Sequence, residues 1–187
     1  MVLSAPLALV ALTVATNFVS GTTTAQTQLV TYLKRGSNLT RAEFWDYWQT
    51  QHAPKVAPLA AHLGITRYQQ ILRLVGAKPK QIQVSGQILP TLVGQDAPSS
   101  NVPVEFDGIA MLLYPSVEVI HAFVTHPYYV DVVEPDEHSF MDKSAFGAGM
   151  VATFRGSHVE VVDDNKYVWA GDQATRHKYQ ELFETYL

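Results

Sequence analysis

The sequence contains no cysteine and few charged residues. The missing thiols exclude disulfides, thiolate metal ligands and cysteine nucleophiles, but they do not fix the compartment, because secreted proteins need not contain disulfides. Charged residues make up 16% of the chain, the net charge is −4, and no basic run is present, so nucleic-acid binding has no electrostatic support. The glycine-rich dinucleotide fingerprint, the P-loop and the serine-hydrolase elbow are also missing from the sequence.

Length and apolar content predict one globular domain behind an apolar extension. A chain of 187 residues that is 47% hydrophobic is long enough for one sizeable core. Residues 1–27 are predicted to be an extension that resembles a signal peptide but lacks a basic start. Since this stretch is marginal for a membrane span, we expect no stable membrane insertion, and both a cytoplasmic and a secreted location stay open. The domain is assigned to residues 28–163, followed by a C-terminal helix in 164–187.

The first half of the domain carries clear local signals. A β-branched and aromatic run predicts a strand at 29–34. Thr40 and Glu43 have the spacing of a capping box, which predicts a helix start. That helix is expected to end just before Pro54, because a residue that precedes proline avoids the α region. Gly64 is expected to end a second, short helix.

The order of elements predicts an α+β fold with a ferredoxin-like split β-α-β unit. The further predicted segments are a strand at 65–74, an irregular excursion at 75–103 with a short strand near 81–84, a strand at 109–114, a helix at 116–124, a helical stretch at 128–140 bent at Pro135, a strand at 150–162 and a helix at 174–187. Such a fold has an antiparallel four-stranded sheet with helices on one face. We expect the other face to pair with a second copy, so that a dimeric α/β barrel encloses a dry chamber with His52 inside it.

His52 is the first candidate for chemistry. It continues the helical spacing of Phe44 and Trp48 and is expected in the last turn of its helix. There the helix dipole favours the protonated ring while burial opposes it, a balance that suits proton transfer near neutral pH. The alternative is a structural histidine that binds the carbonyl groups of its own helix, and spacing alone slightly favours that alternative.

The second candidate region is the aromatic and acidic run from His126 to Asp142. Neighbouring carboxylates such as Asp136 and Glu137 usually belong to a solvated helix start. If one of them is instead buried near Tyr128 and Tyr129, it can hold a raised pKa or orient a histidine. The acidic residues and His138 show no recognised ligand spacing, so no metal site is predicted.

Taken together, these residues resemble the EthD-domain family of dimeric α/β barrels. The matching stretches are Tyr32–Gly36, Thr40–Trp48, Gln51–Pro54, Tyr68, Asp107–Gly108, Pro127–Tyr129, Pro135–Glu137 and Phe140–Asp142. The resemblance covers about residues 29–162 and implies a homodimer that needs no cofactor. The Pro-Tyr-Tyr and Pro-Asp-Glu stretches are most similar to the fungal TpcK-like group, which is assigned as decarboxylases of anthraquinone-type polyketide acids in secondary metabolism.

This resemblance implies a cofactor-independent lyase that decarboxylates an aromatic or polyketide-derived acid. Its expected catalytic residues are His52 as proton donor, Asp136 to orient it and Tyr129 to hydrogen-bond an oxyanion. The expected substrate-binding residues are Phe44, Trp48, Tyr68, Tyr128 and Phe140. Two alternatives keep the fold: a cofactor-free anthrone-type oxygenase or polyketide cyclase, and a non-catalytic small-molecule carrier. The carrier is favoured if both His52 and Asp136 point to solvent.

Overall fold

The computed structural model describes residues 26–72 and 86–187. The strands are β1 (Gln26–Leu33), β2 (Arg67–Ile71), β3 (Gly86–Ile88), β4 (Val104–Phe106), β5 (Gly108–Tyr114), β6 (Met150–His158), β7 (Val162–Asp163) and β8 (Lys166–Tyr167). The α-helices are α1 (Arg41–Tyr47), α2 (Ala53–His62), α3 (Val117–Thr125), α4 (Glu134–Glu137) and α5 (Gln173–Glu184). Shorter helical turns are π-helical at Trp48–His52 and Tyr129–Val133 and 3₁₀-helical at Phe146–Gly149.

The main sheet has four antiparallel strands in the order β2-β5-β1-β6. In the central pair, Leu29 of β1 lies opposite Leu112 of β5, and Thr31 lies opposite Ala110. The strands and helices follow one another as β1, α1–α2, β2, β5, α3–α4 and β6. This order and sheet topology confirm the predicted ferredoxin-like α+β fold.

The first helix begins as predicted and then departs from the prediction. Thr40 caps the backbone N–H of Glu43, and the Glu43 carboxylate accepts from the backbone N–H of Thr40 at 2.7 Å, which completes the capping box. Ahead of Pro54, however, Ala53 keeps α-helical angles (φ −54°, ψ −42°), and its N–H reaches back to Trp48 through a π-turn. The expected break before the proline is therefore wrong: the wider turn carries the helix on to His62.

Side chains from one face of the sheet and from the helices form two buried clusters. The first contains Phe44, Trp45 and Trp48 of the first helical segment with Leu33 and Ala110 of the sheet. The second contains, among others, Val56 and Leu59 of α2, Tyr114 of β5, Phe123 of α3 and Val133. Alternation along β1 and β5 places these sheet side chains on the same face, so all the long helices that build the core lie on one side.

Gly108 marks the closest approach between the sheet and the first helix. A Cβ atom at this position would lie 2.6 Å from Cζ3 of Trp48 and 3.2 Å from Cε1 of Phe44. The indole ring therefore packs directly on the β5 backbone. This contact explains why a glycine follows Asp107 in the sequence.

Asp107 ties the end of β1 to α1. Its side chain is fully buried, and its carboxylate lies 2.8 Å from Nε of Arg41, 3.4 Å from Nε of Arg35 and 3.6 Å from Nζ of Lys34. The backbone carbonyl of Asp107 also accepts a hydrogen bond from the Trp45 indole at 2.6 Å. We regard this group of charges as structural, because it joins two strands and a helix at one end of the sheet.

Two small hairpins were not anticipated from the sequence. Strand β3 pairs with β4, and β7 pairs with β8. The described part of the predicted excursion runs along the outer edge of β6, where the Thr153 N–H donates to the Thr91 carbonyl at 2.8 Å. The strand expected near 81–84 and the apolar start of the chain lie outside the described residues. The proposed division at residues 27 and 163 stays a prediction.

The second face of the main sheet carries a partly exposed group of apolar side chains beside polar ones such as Gln69. Tyr32 packs edge-to-face on Phe106 and Phe154 with ring centroids 4.9 and 6.0 Å apart. Phe154 keeps 43% and Ile71 keeps 38% of its surface exposed. None of the helices in the described ranges combines the length and the apolar character needed to cross a membrane.

Candidate active site

A mostly apolar cavity lies between the sheet and the helices of a single chain. Its volume is about 140 Å³, close to the roughly 150 Å³ of a dry cavity that holds one benzene ring. The apolar lining comes from β1, β5 and the helical segments, and includes Leu29, Leu33, Ala110, Leu112, Trp48, Ile120, Phe123, Phe140 and Met141. Its polar members are Thr31, His52, Tyr68, Tyr129 and Glu137.

His52 is therefore buried in a cavity, but not in the predicted chamber. The expectation of a chamber enclosed by two sheets is wrong for this residue, since the cavity it lines is bounded by the helical face of its own sheet. The side chain belongs to the π-turn before α2, and the residue is 5% exposed. Its ring lies 4.7 Å from that of Phe140, centroid to centroid. A π-turn is a frequent feature of functional sites because it re-aims side chains within a helix.

The protonation of His52 follows from its single strong partner. Nδ1 lies 2.9 Å from the Asp136 carboxylate. Burial lowers the pKa of His52 below 6.5, and the hydrogen bond to Asp136 only partly offsets this effect. The ring is therefore neutral at neutral pH. Because an ionised carboxylate can only accept, Nδ1 carries the proton and Nε2 holds the free lone pair.

Asp136 holds the imidazole from behind the cavity wall. Besides His52, its carboxylate accepts hydrogen bonds from the Tyr47 hydroxyl at 2.7 Å and from Lys55. Burial raises its pKa, but the hydrogen bonds from Lys55, Tyr47 and His52 outweigh burial and leave the pKa below the usual value. Asp136 is thus an ionised group that fixes both the orientation and the tautomer of the ring.

Tyr68 offers a proton to the cavity. Its hydroxyl oxygen accepts hydrogen bonds from the Trp48 indole at 3.2 Å and from the Gln70 side-chain amide at 2.9 Å. With both lone pairs engaged, its own O–H remains to donate. Burial raises the pKa of Tyr68, so the hydroxyl stays protonated at neutral pH.

Tyr129 and Glu137 form a second polar group in the wall. The Tyr129 hydroxyl donates to the Glu137 carboxylate at 2.9 Å, and Lys143 donates to the other carboxylate oxygen at 2.7 Å. Burial, together with the negative charge of Glu137, raises the pKa of Tyr129 well above its usual value. Its proton is committed to Glu137, so Tyr129 presents oxygen lone pairs rather than a donor to the cavity.

The structure brings most, but not all, of the predicted site residues together. His52, Tyr68, Tyr129, Trp48 and Phe140 line the cavity, and Asp136 contacts His52 from behind. Two predicted substrate-binding residues lie outside the lining. Phe44 is fully buried behind Trp48, with ring centroids 5.6 Å apart, and Tyr128 packs against the second core cluster.

Sequence reasoning missed the partners that control these groups. Lys55 and Tyr47 lie 81 and 89 positions from Asp136 along the chain, so no local pattern could indicate their convergence. The sequence pattern allows one of the neighbouring carboxylates Asp136 and Glu137 to lie buried near the tyrosines, and the structure places Glu137 against Tyr129. Within residues 26–72 and 86–187, no three His, Asp or Glu side chains are grouped to hold a metal ion.

The fold and cavity define a class: a ferredoxin-like α+β protein with a buried acid–base pair in an apolar cavity. Residues 37–144, more than half of the 187, match the model of the EthD domain. The chain belongs to the EthD-domain family. None of the curated proteins matches it.

Solved structures with a similar fold are distant in sequence. An EthD-like protein from Ralstonia eutropha is 15% identical, with 75% of this chain and 95% of that chain covered and a TM-score of 0.38. An ethyl tert-butyl ether D family protein from Bacillus halodurans is 12% identical, with 72% and 99% covered and a TM-score of 0.38. A dimeric protein of unknown function with a ferredoxin-like fold from Bacteroides fragilis is 8% identical, with 72% and 96% covered and a TM-score of 0.40. Likeness at this level carries no argument about activity.

Proposed function

We propose that this protein is a cofactor-independent enzyme that uses neutral His52 as a general base on a small, single-ring substrate. The observation that carries the proposal is the His52–Asp136 pair at the cavity wall. Asp136 accepts from Nδ1 at 2.9 Å, which leaves the Nε2 lone pair for a bound ligand. No hydrogen bond from the described residues reaches Nε2, and the surrounding wall is mainly aliphatic and aromatic.

The first step is removal of a proton from carbon next to a carbonyl group. Nε2 takes the proton, and the electron pair of the broken C–H bond moves onto the carbonyl oxygen as an enolate. The Tyr68 O–H, whose oxygen already accepts two hydrogen bonds, has a proton to donate to that oxyanion. Asp136 stabilises the imidazolium that forms, because it is already ionised and in contact with Nδ1.

Exchange of hydrogen for deuterium at the ketone α-carbon tests this step. We expect the protein to accelerate the exchange in a panel of single-ring aryl ketones in deuterated buffer, followed by NMR. His52→Ala should reduce the acceleration by roughly 10²–10⁴-fold and Tyr68→Phe by roughly 10²–10³-fold. The matched controls are His62→Ala, which changes an exposed histidine of α2, and Tyr128→Phe, which changes a tyrosine outside the lining. Undiminished exchange in folded His52→Ala would remove His52 from the mechanism.

Decarboxylation is the second candidate, as the resemblance to the TpcK-like group suggests. The described lining contains no Lys or Arg, so an acid would enter this apolar cavity in its neutral form. Such a substrate can give its carboxyl proton to Nε2, lose CO₂ and take the same proton back at carbon, so that His52 is the proton donor of the last step. An oxygenase or cyclase would instead use the enolate, with O₂ or a second carbonyl as the electrophile.

Gas exchange separates these reactions on one panel. The panel contains single-ring β-keto acids, o-hydroxyaryl acids and the corresponding decarboxylated ketones and phenols. Release of CO₂ from the acids supports the lyase, and uptake of O₂ by the ketones or phenols supports the oxygenase. A carrier would bind the compounds without either gas change and without deuterium exchange. Burial of both His52 and Asp136 counts against the carrier, for which solvent-facing side chains were expected.

We also propose that the protein is a homodimer that buries the second face of the sheet. This face carries Tyr32, Phe154 and Ile71, and the latter two remain substantially exposed in one chain. Phe154→Glu should shift the molar mass measured by light scattering from dimer to monomer, since it places a charge on an apolar interface. Val102→Glu changes an exposed loop valine and should leave the mass unaltered. A monomeric wild-type protein would refute the proposal.

A further inference from the structure

The polar groups of the cavity wall offer a ligand more hydrogen-bond acceptors than donors. Glu137 presents a carboxylate, His52 presents the Nε2 lone pair, and Tyr129 presents oxygen lone pairs because its proton goes to Glu137. The hydroxyl groups of Tyr68 and Thr31 supply donors. The described lining is therefore rich in acceptors, contains a negatively charged group and includes no cationic side chain.

We propose that Glu137 is a specificity-determining residue that makes the cavity select a neutral, hydroxyl-bearing single-ring ligand and reject carboxylates. The inference rests on the proposed function only in taking this cavity as the substrate site. It goes further by naming the substrate class: a phenol-like ring whose O–H meets an acceptor of the wall, while a carbonyl group on the same ring meets Tyr68.

The contacts of Glu137 explain why its charge is felt inside the cavity. The residue is 5% exposed, and one carboxylate oxygen is bound by Lys143, which is not among the lining residues. The other oxygen contacts Tyr129, whose ring is part of the wall. Lys143 thus stabilises the carboxylate from outside the lining, and the Tyr129 hydroxyl binds its second oxygen at the cavity wall.

A ligand carboxylate would meet two penalties here. It would lose its hydration in an apolar space, and it would lie near a like charge without an arginine or lysine of the wall to pair with. A phenol loses little on entry, because its hydroxyl finds an acceptor and its ring matches the roughly 140 Å³ volume.

Binding measurements with three probes test the inference without reliance on catalysis. Phenol, benzoate and toluene are titrated into the wild-type protein at neutral pH by calorimetry. We expect phenol to bind most tightly and benzoate at least about tenfold more weakly. In Glu137→Gln, the preference for phenol over benzoate should fall at least about tenfold. Glu134→Gln removes a more exposed carboxylate that also faces Lys143, at 3.9 Å, and should leave the preference unaltered.

Several results would overturn the inference. One is that benzoate binds to the wild type as tightly as phenol does. Another is that the preference of Glu137→Gln for phenol over benzoate stays within about twofold of the wild-type preference. The third is that no probe binds. If Glu137→Gln does not fold, the double variant Glu137→Gln/Lys143→Met removes both charges and avoids leaving one buried and unpaired. A wild type that prefers phenol but catalyses no His52-dependent exchange would refute only the catalytic proposal. Exchange that depends on His52, together with tight benzoate binding, would refute only the proposed role of Glu137 in selectivity.

Discussion

Replacement of Asp136 by asparagine is the most direct test of how the site is held together. The carboxylate accepts from His52, Tyr47 and Lys55. Asparagine keeps one acceptor oxygen and turns the other into an NH₂ donor, so at least one of the buried donors faces another donor. We therefore expect Asp136→Asn to destabilise the protein and to release the imidazole from its tautomer.

The expected loss of stability in Asp136→Asn follows from the individual contacts of the carboxylate. A hydrogen bond to a charged group contributes about 1.5–3 kcal/mol, and a buried donor left without a partner costs about 1–3 kcal/mol. The Lys55 side chain is 36% exposed and regains water, so its share is small. Together the loss should be about 2–4 kcal/mol in the free energy of unfolding, equivalent to a fall of about 5–15 °C in Tm for a chain of this size.

Urea unfolding gives the free energy, and ¹⁵N NMR of the histidine rings gives the tautomer. The wild-type spectrum should show a neutral His52 protonated at Nδ1, and the variant should populate the Nε2-protonated form. Asp131→Asn is the matched control, because Asp131 lies exposed in the preceding helical turn. A variant within about 0.5 kcal/mol of wild type, or a wild-type ring protonated at Nε2, would refute the reasoning.

Two further predictions concern the charges of the core. Asp107→Asn should lower the free energy of unfolding by about 3–5 kcal/mol in urea titration, because the cations around this fully buried carboxylate lose their partner. Glu105→Gln, which changes an exposed partner of Lys34, should lower the free energy of unfolding by less than about 1 kcal/mol. Equal effects of the two variants would contradict the structural role of the buried Asp107 carboxylate. The pKa of His52 in the folded protein is lower than the ordinary 6.5 of the unfolded chain, so unfolding takes up a proton at pH values between these two pKa values. The free energy of unfolding should therefore fall as the pH drops below about 6.5, by up to about 1.4 kcal/mol per pH unit. His52→Gln should flatten this part of the stability profile, and an unchanged slope would show that another group titrates there.

Much of the fold was predictable because its signals are local. The capping box of Thr40 and Glu43 depends on residues three positions apart, and it forms as expected. The break before Pro54 was not predictable, because the π-turn that replaces it places Trp48 and His52 in the buried interior. Packing against the sheet decides that turn, and local backbone preference at Ala53 gives way.

The sequence by itself determined the helices and the strands of the main sheet, the ferredoxin-like topology, and His52, Tyr68 and Tyr129 as polar residues of the site. Only the tertiary structure decided on which side of the sheet the cavity lies and where each proton goes. Asp136 reaches His52 across 84 positions, and the donors and acceptors around Tyr68 and Glu137 likewise depend on how the segments pack. Local patterns record backbone preferences, whereas hydrogen-bond partners at a site are chosen by the packing of segments that are distant in the chain.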